Sequence, residues 1–139
     1  MSSSDDSGVV ELTPNTPAPP SKYGGAVGIA MQYLGVPYVW GGASPSGFDC
    51  SGLITYVYAQ LGVSLPHNAA MQYNQSGVFV SRDELQPGDL VFFSGLGHMG
   101  MYIGGDQFIH APRTGDVVKI SNMSDGYYSS GYVGAKRVT

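Results

Sequence analysis

Cysteine is almost absent from this 139-residue chain: Cys50 stands alone, so no internal disulfide can staple the fold, and cysteine usage leaves the redox compartment open. Basic residues are scarce too. Six Lys and Arg against ten Asp and Glu leave a formal net charge of -4 with no basic run, which argues against nucleic acid as a partner. No apolar stretch approaches the ~18 residues that a membrane span needs. The opening Met1 to Asp6 has neither the basic nor the apolar part of a signal peptide, which leaves a cytosolic protein or a piece of a longer exported one. What is present in quantity is 42% hydrophobic residues, enough for one compact domain, with 21 glycines, nine prolines and ten tyrosines that point to short strands and many turns.

Residues 1–21 read as a Ser- and Pro-rich tail, extended over Thr13 to Ser21, and residues 22–139 as the folded domain. The tail is a linker on the plain reading and a lid across a groove on the sharper one. Ala26, Ile29, Ala30, Tyr33 and Leu34 recur at helical spacing, stopped by Gly35 and Pro37. Cys50, Leu53, Ile54, Val57 and Leu61 define a second helix over about 50–61, with Asp49 as its N-cap and Gly62 past its end. A short helix follows over 69–75. Strands are expected at 90–93, 98–103, 107–111, 117–120 and 132–138. Helices first and strands after, without βαβ alternation, give an α+β fold with helices packed on an antiparallel sheet.

The chemistry gathers at Gly47-Phe48-Asp49-Cys50-Ser51-Gly52, where a glycine-rich loop hands over to a helix. Helix starts carry unpaired N–H groups and partial positive charge, which favour a thiolate and can receive an oxyanion. If Gly104, Gly105 and Asp106 form a three-residue hairpin loop, Gly100 pairs with His110, and His98 lies diagonally across from His110 on one face; a two-residue loop would flip His110 away. With Cys50 on a helix packing that face, nucleophile, base and orienter come together. Duller readings stand beside this one: Cys50 as a small buried hydrophobe, both histidines as hydrogen-bonded structural residues, and His67 as a loop or helix-start residue. A Cys-His₂ zinc site from the same three residues is a further alternative, although the short ligand spacings are missing.

Tyr38 to Gly42, Phe48 to Leu53, Leu85 to Phe93, Gly97 to Gly104 and Phe108 to Ala111 together resemble the signatures of NlpC-type cell-wall peptidases, in order, over about residues 24–138. The resemblance implies a papain-like fold of circularly permuted topology. It implies hydrolysis of peptidoglycan stem peptides, most often between D-glutamate and meso-diaminopimelate or an equivalent diamino acid. Cys50 matches the nucleophile, His98 the general base and His110 the residue that orients it; Tyr38 matches a tyrosine near the oxyanion site, and Asp49 and Ser51 match positions lining the stem-peptide pocket, the Asp facing a free substrate amine. Where many relatives have Arg after Leu-Pro, this chain has His67. No metal or cofactor is required, and the implied setting is extracytoplasmic, with stem peptides as partners, no membrane span and a monomeric state. A cysteine amidase or acyltransferase acting on another wall bond, and a non-catalytic wall-binding module, are the competing readings.

Overall fold

Four consecutive apolar residues, Leu90–Phe93, form the strand around which the protein is built, and all four are buried because both faces of that strand are covered. A strand with one solvated face would alternate instead. The computed structural model describes Pro19 and residues 22–139; the rest of the expected tail lies outside the described residues. Within them, the elements in chain order are α1 (Ala26–Met31), β1 (Ala43–Ser44), β2 (Gly47–Phe48), α2 (Cys50–Ala59), α3 (Ala69–Gln75), β3 (Val78–Val80), β4 (Leu90–Phe93), β5 (His98–Gly104), β6 (Gln107–His110), β7 (Lys119–Asn122), α4 (Gly126–Gly131) and β8 (Tyr132–Arg137). Strands β3-β8-β4-β5-β6-β7 make one antiparallel sheet in that order, and β1 and β2 form a separate small hairpin. The architecture is α+β, as expected.

One face of the sheet carries Leu90, Phe92, Met99, Met101 and Ile109 and receives Leu53, Ile54 and Val57 of α2. The other carries Val91, Phe93 and Phe108 and is closed by Tyr128 of α4 and Met123. At the sheet's end Arg137 clamps Asp89 with two hydrogen bonds of 2.8 Å, both side chains almost fully buried, and its remaining guanidinium nitrogen donates to the Pro19 carbonyl. Removing one partner of such a pair would strand a buried charge.

Several boundaries moved for local reasons. After Ala59, Gln60 and Leu61 donate to Val57 and Tyr58 in tighter three-residue turns, and Gly62 at φ 81° ends the helix two residues before the expected stop. α1 ends the same way, at Met31 rather than Leu34. The segment around Val117 bridges Pro37, and Val118 donates to the Val36 carbonyl, so the strand expected at 117–120 joins the sheet only from Lys119. The β1–β2 hairpin, β3 and α4 were not foreseen.

The β5–β6 hairpin resolves the loop-length question in an unforeseen way. Gly105 and Asp106 form a two-residue loop, with φ of 59° and 62°, so Gly104 pairs with Gln107. A bulge at Ile103 then adds one residue, which puts Tyr102 opposite Phe108 and Met101 opposite Ile109. The register expected from a three-residue loop is thereby recovered along the rest of the pair.

Candidate active site

Asp49 organises the start of α2. Its Oδ1 accepts from the Gly52 N–H at 2.6 Å, which caps the helix, and from the Ser51 hydroxyl at 3.4 Å; its Oδ2 accepts from the Gly41 N–H at 3.1 Å. The Asp49 N–H in turn donates to the Gly42 carbonyl at 2.9 Å. The glycine loop is thus tied down on the helix start, and Gly52 is required there: a Cβ would run into the Gly42 carbonyl and Asp49 Oδ1.

Cys50, the first helical residue, is half-buried. The backbone N–H groups of Met99, of Ser51 and of its own peptide act on the thiol, which places it near the first residues of β5. Burial first, and then the Asp49 carboxylate, push the Cys50 thiol up, while those N–H groups pull it back. The balance is upward, which favours the thiol over the thiolate. Tyr38 is pushed up by burial and then by Cys50 and Asp49, which keeps its hydroxyl a donor next to both.

The two histidines of the β5–β6 pair form a line of hydrogen bonds. His98 Nε2 lies 2.8 Å from His110 Nδ1, and His110 Nε2 lies 2.8 Å from Ser121 Oγ. Tyr128 stands edge-on to the His110 ring, with centroids 5.3 Å apart. In the tautomer where His110 Nε2–H donates to the Ser121 hydroxyl, His110 Nδ1 accepts from His98 Nε2–H, and His98 Nδ1 is left with a free lone pair. Burial, then the Arg113 charge, hold His98 down to about 4, and burial, then His98 and Lys119, hold His110 down to about 3. Both rings are neutral near pH 7. Gly100 makes the pairing possible, since any side chain there would strike Phe108 and His110.

One expectation is corrected here. The histidines share a face, but it is the face away from α2: their rings pack on Phe93, Phe108 and Tyr128, whereas α2 covers Met99, Met101 and Ile109. Cys50, at the first position of α2, packs against the core on the α2 side. A zinc ion held by Cys50, His98 and His110 does not fit this arrangement. The two histidine nitrogens aim at each other across 2.8 Å, which leaves a proton and no metal between them, and no group of three or more His, Cys, Asp or Glu among the described residues is disposed for a metal.

Two cavities flank the site. One of about 500 Å³ opens on Cys50 and is lined by Tyr38, Asp49, Ser51 and His67 among others; the second, about 270 Å³, opens on His98, and Gly97 lines both. Of the six sequence-derived candidates, Tyr38, Asp49, Cys50 and Ser51 line the larger cavity and His98 the smaller, with His110 hydrogen-bonded behind His98. His67, expected as a loop or helix-start residue, joins the site, and two further neighbours were missed. His67 Nε2 lies 2.8 Å from Asp49 Oδ1, which adds another partner to that carboxylate. Ser121 and Tyr128 had no signal of their own; only the β6–β7 register, with Phe108 opposite Ser121, brings Ser121 to His110.

Comparison with known proteins gives a consistent picture. The model described as the NlpC/P60 family matches residues 35–137. Murein DD-endopeptidase MepH of Escherichia coli K12 is 45% identical over 116 residues, covering 78% of this chain and 43% of that protein. Gamma-DL-glutamyl hydrolase of Bacillus subtilis 168 is 45% identical over 115 residues, with 78% and 27% covered. Among solved structures, a Bacillus cereus ATCC 10987 protein of the same family superposes with a TM-score of 0.80 at 35% identity, covering 86% of this chain and 41% of that one. The NlpC/p60 domain of the peptidoglycan hydrolase SagA gives 0.71 at 36%, covering 81% and 97%. The chain spans less than half the length of the two curated relatives named here.

Proposed function

This chain belongs to the NlpC/P60 family, and from that premise we propose that it is a peptidoglycan endopeptidase that hydrolyses the stem-peptide bond from D-glutamate to meso-diaminopimelate or an equivalent diamino acid. Cys50 is the nucleophile, His98 the general base and His110 the residue that orients it, acting extracytoplasmically and as a monomer. The observation that carries the reading is the hydrogen-bonded line from His98 through His110 to Ser121, which in one tautomer leaves His98 Nδ1 free to accept a proton.

In this mechanism His98 Nδ1 takes the thiol proton and Cys50 Sγ bonds the scissile carbonyl carbon. The negative charge moves to the carbonyl oxygen, where the N–H groups at the start of α2 and the Tyr38 hydroxyl receive it. Collapse of that intermediate breaks the C–N bond, and the amine leaves with the proton from His98. Water, deprotonated by His98, then attacks the thioester, which returns the thiol and releases a carboxylate. Asp49 and Ser51 line the acyl-side pocket and hold the glycine loop in register. No metal takes part.

Purified muropeptides incubated with the protein and read by mass spectrometry test this. The expected products are a stem fragment ending in D-glutamate and one beginning with the diamino acid, both absent with Cys50→Ala. Cleavage at another amide would establish the amidase reading, and undiminished cleavage by Cys50→Ala would remove the nucleophile.

A further inference from the structure

The cavity of about 270 Å³ on the His98 side holds a charge that the fold does not use. Ser94, Gly97, His98, Pro112, Arg113 and Tyr128 wall it, and no carboxylate is among its lining residues. Arg82, Lys119 and Arg137 each pair with an acid, but none of the ion pairs among the described residues includes Arg113. The nearest acid by its electrostatic effect is Asp116, whose oxygens already take the Val117 N–H at 2.8 Å and Lys119 Nζ at 3.0 Å. Arg113 itself is exposed at the mouth of the cavity.

We propose that this cavity is the leaving-group subsite and that Arg113 binds a free carboxylate carried by the amine half of the scissile bond. The inference rests on the acyl-transfer reading above, and the chemistry of that reading sets the direction. The acyl carbon becomes bonded to Cys50 and stays with the larger cavity; the departing nitrogen must lie within reach of the proton on His98, on the side of the smaller one. An α-carboxylate is two bonds from that nitrogen. It therefore falls close to His98, where the Arg113 charge is already felt. Arg113 disfavours a proton on His98, and a carboxylate bound to Arg113 cancels that effect while the leaving group is in place. The base holds its proton best when there is an amine to receive it.

The test uses the amine half alone, so that it needs no cleavage. Free meso-diaminopimelate, its α-carboxamide and its distal carboxamide are titrated into the whole chain, with the ring resonances of His98 and Tyr128 followed by NMR. The free acid should bind about tenfold more tightly than the carboxamide that neutralises the recognised group, the scale of one charge-assisted pair partly open to water. The two amides decide which carboxylate is read. Arg113→Gln should bring the acid to the affinity of that amide with no change in melting temperature, and Arg113→Lys should keep most of the preference. Equal affinity of acid and both amides for the unmutated protein, a preference that survives Arg113→Gln, or no saturable binding of the acid would overturn the inference. Failure to cut muropeptides while the binding difference stands would instead count against the proposed reaction.

Discussion

Acid should destabilise this protein through His110, and the size of the effect follows from its surroundings. The ring is fully buried, with Nδ1 on His98 and Nε2 on Ser121, and it is held down to about 3 from an ordinary 6.5. Between those values the unfolded chain takes up a proton that the native chain refuses, so stability falls as pH drops through 6.5 and continues to fall toward 3. A pH of 5 lies 1.5 units below the unfolded ring's ordinary value, which at 1.36 kcal/mol per unit costs the native state about 2 kcal/mol. His98 contributes in the same direction, over a window that closes at about 4. Urea unfolding at pH 7, 6 and 5 measures the slope. His110→Asn should lower stability at pH 7 yet lose about 2 kcal/mol less than the unmutated chain between pH 7 and 5. Parallel curves for the two proteins would refute the argument, because they would mean that the buried ring does not resist protonation.

Gly52→Ala should cost about 1–3 kcal/mol and most of the activity, because its methyl group would press on the Gly42 carbonyl and the capping Asp49; an unchanged melting temperature would contradict this. Ser121→Ala should lower kcat about tenfold with KM nearly constant and shift the acid limb of the pH profile, since His110 Nε2 loses its partner, and Ser121→Thr should restore part of the rate; a loss confined to KM would refute the positioning role. Iodoacetamide should abolish hydrolysis and a chelator should leave it intact, whereas EDTA inhibition reversed by added zinc would revive the Cys-His₂ metal reading.

Local signals in the chain were legible where one residue type answers one geometric demand. Asp49 before an apolar stripe at helical spacing foretold the cap and the helix, and Asn68 caps α3 in the same manner. The pairing of His98 with His110 was also accessible from strand periodicity. The covered face was misread for a physical reason that the same periodicity contains: Met99, Met101 and Ile109 offer the apolar surface that Leu53 and Val57 need, whereas the histidines do not. Ser121, Tyr128 and the link from His67 to Asp49 depend on contacts between residues 7 to 18 positions apart, in elements too short or too polar to announce themselves. The motifs that resemble those of NlpC-type peptidases carry the family without any of these contacts.

The extra residue at Ile103 makes the hairpin unequally tolerant of changes in length. Deleting Ile103 would leave the Gly105-Asp106 turn closing on Gly104 and Gln107, with Tyr102 still opposite Phe108, so that both histidines would stay on their common face. Deleting either Gly105 or Asp106 would instead destroy the turn that closes the ladder, and a single insertion between His98 and Tyr102 would rotate His98 to the α2 side while His110 stayed behind. Frameshifts of one residue only a few positions apart therefore have opposite fates, and a library of single-residue deletions and insertions across 98–110 would map the bulge as a narrow permissive window inside an otherwise intolerant stretch.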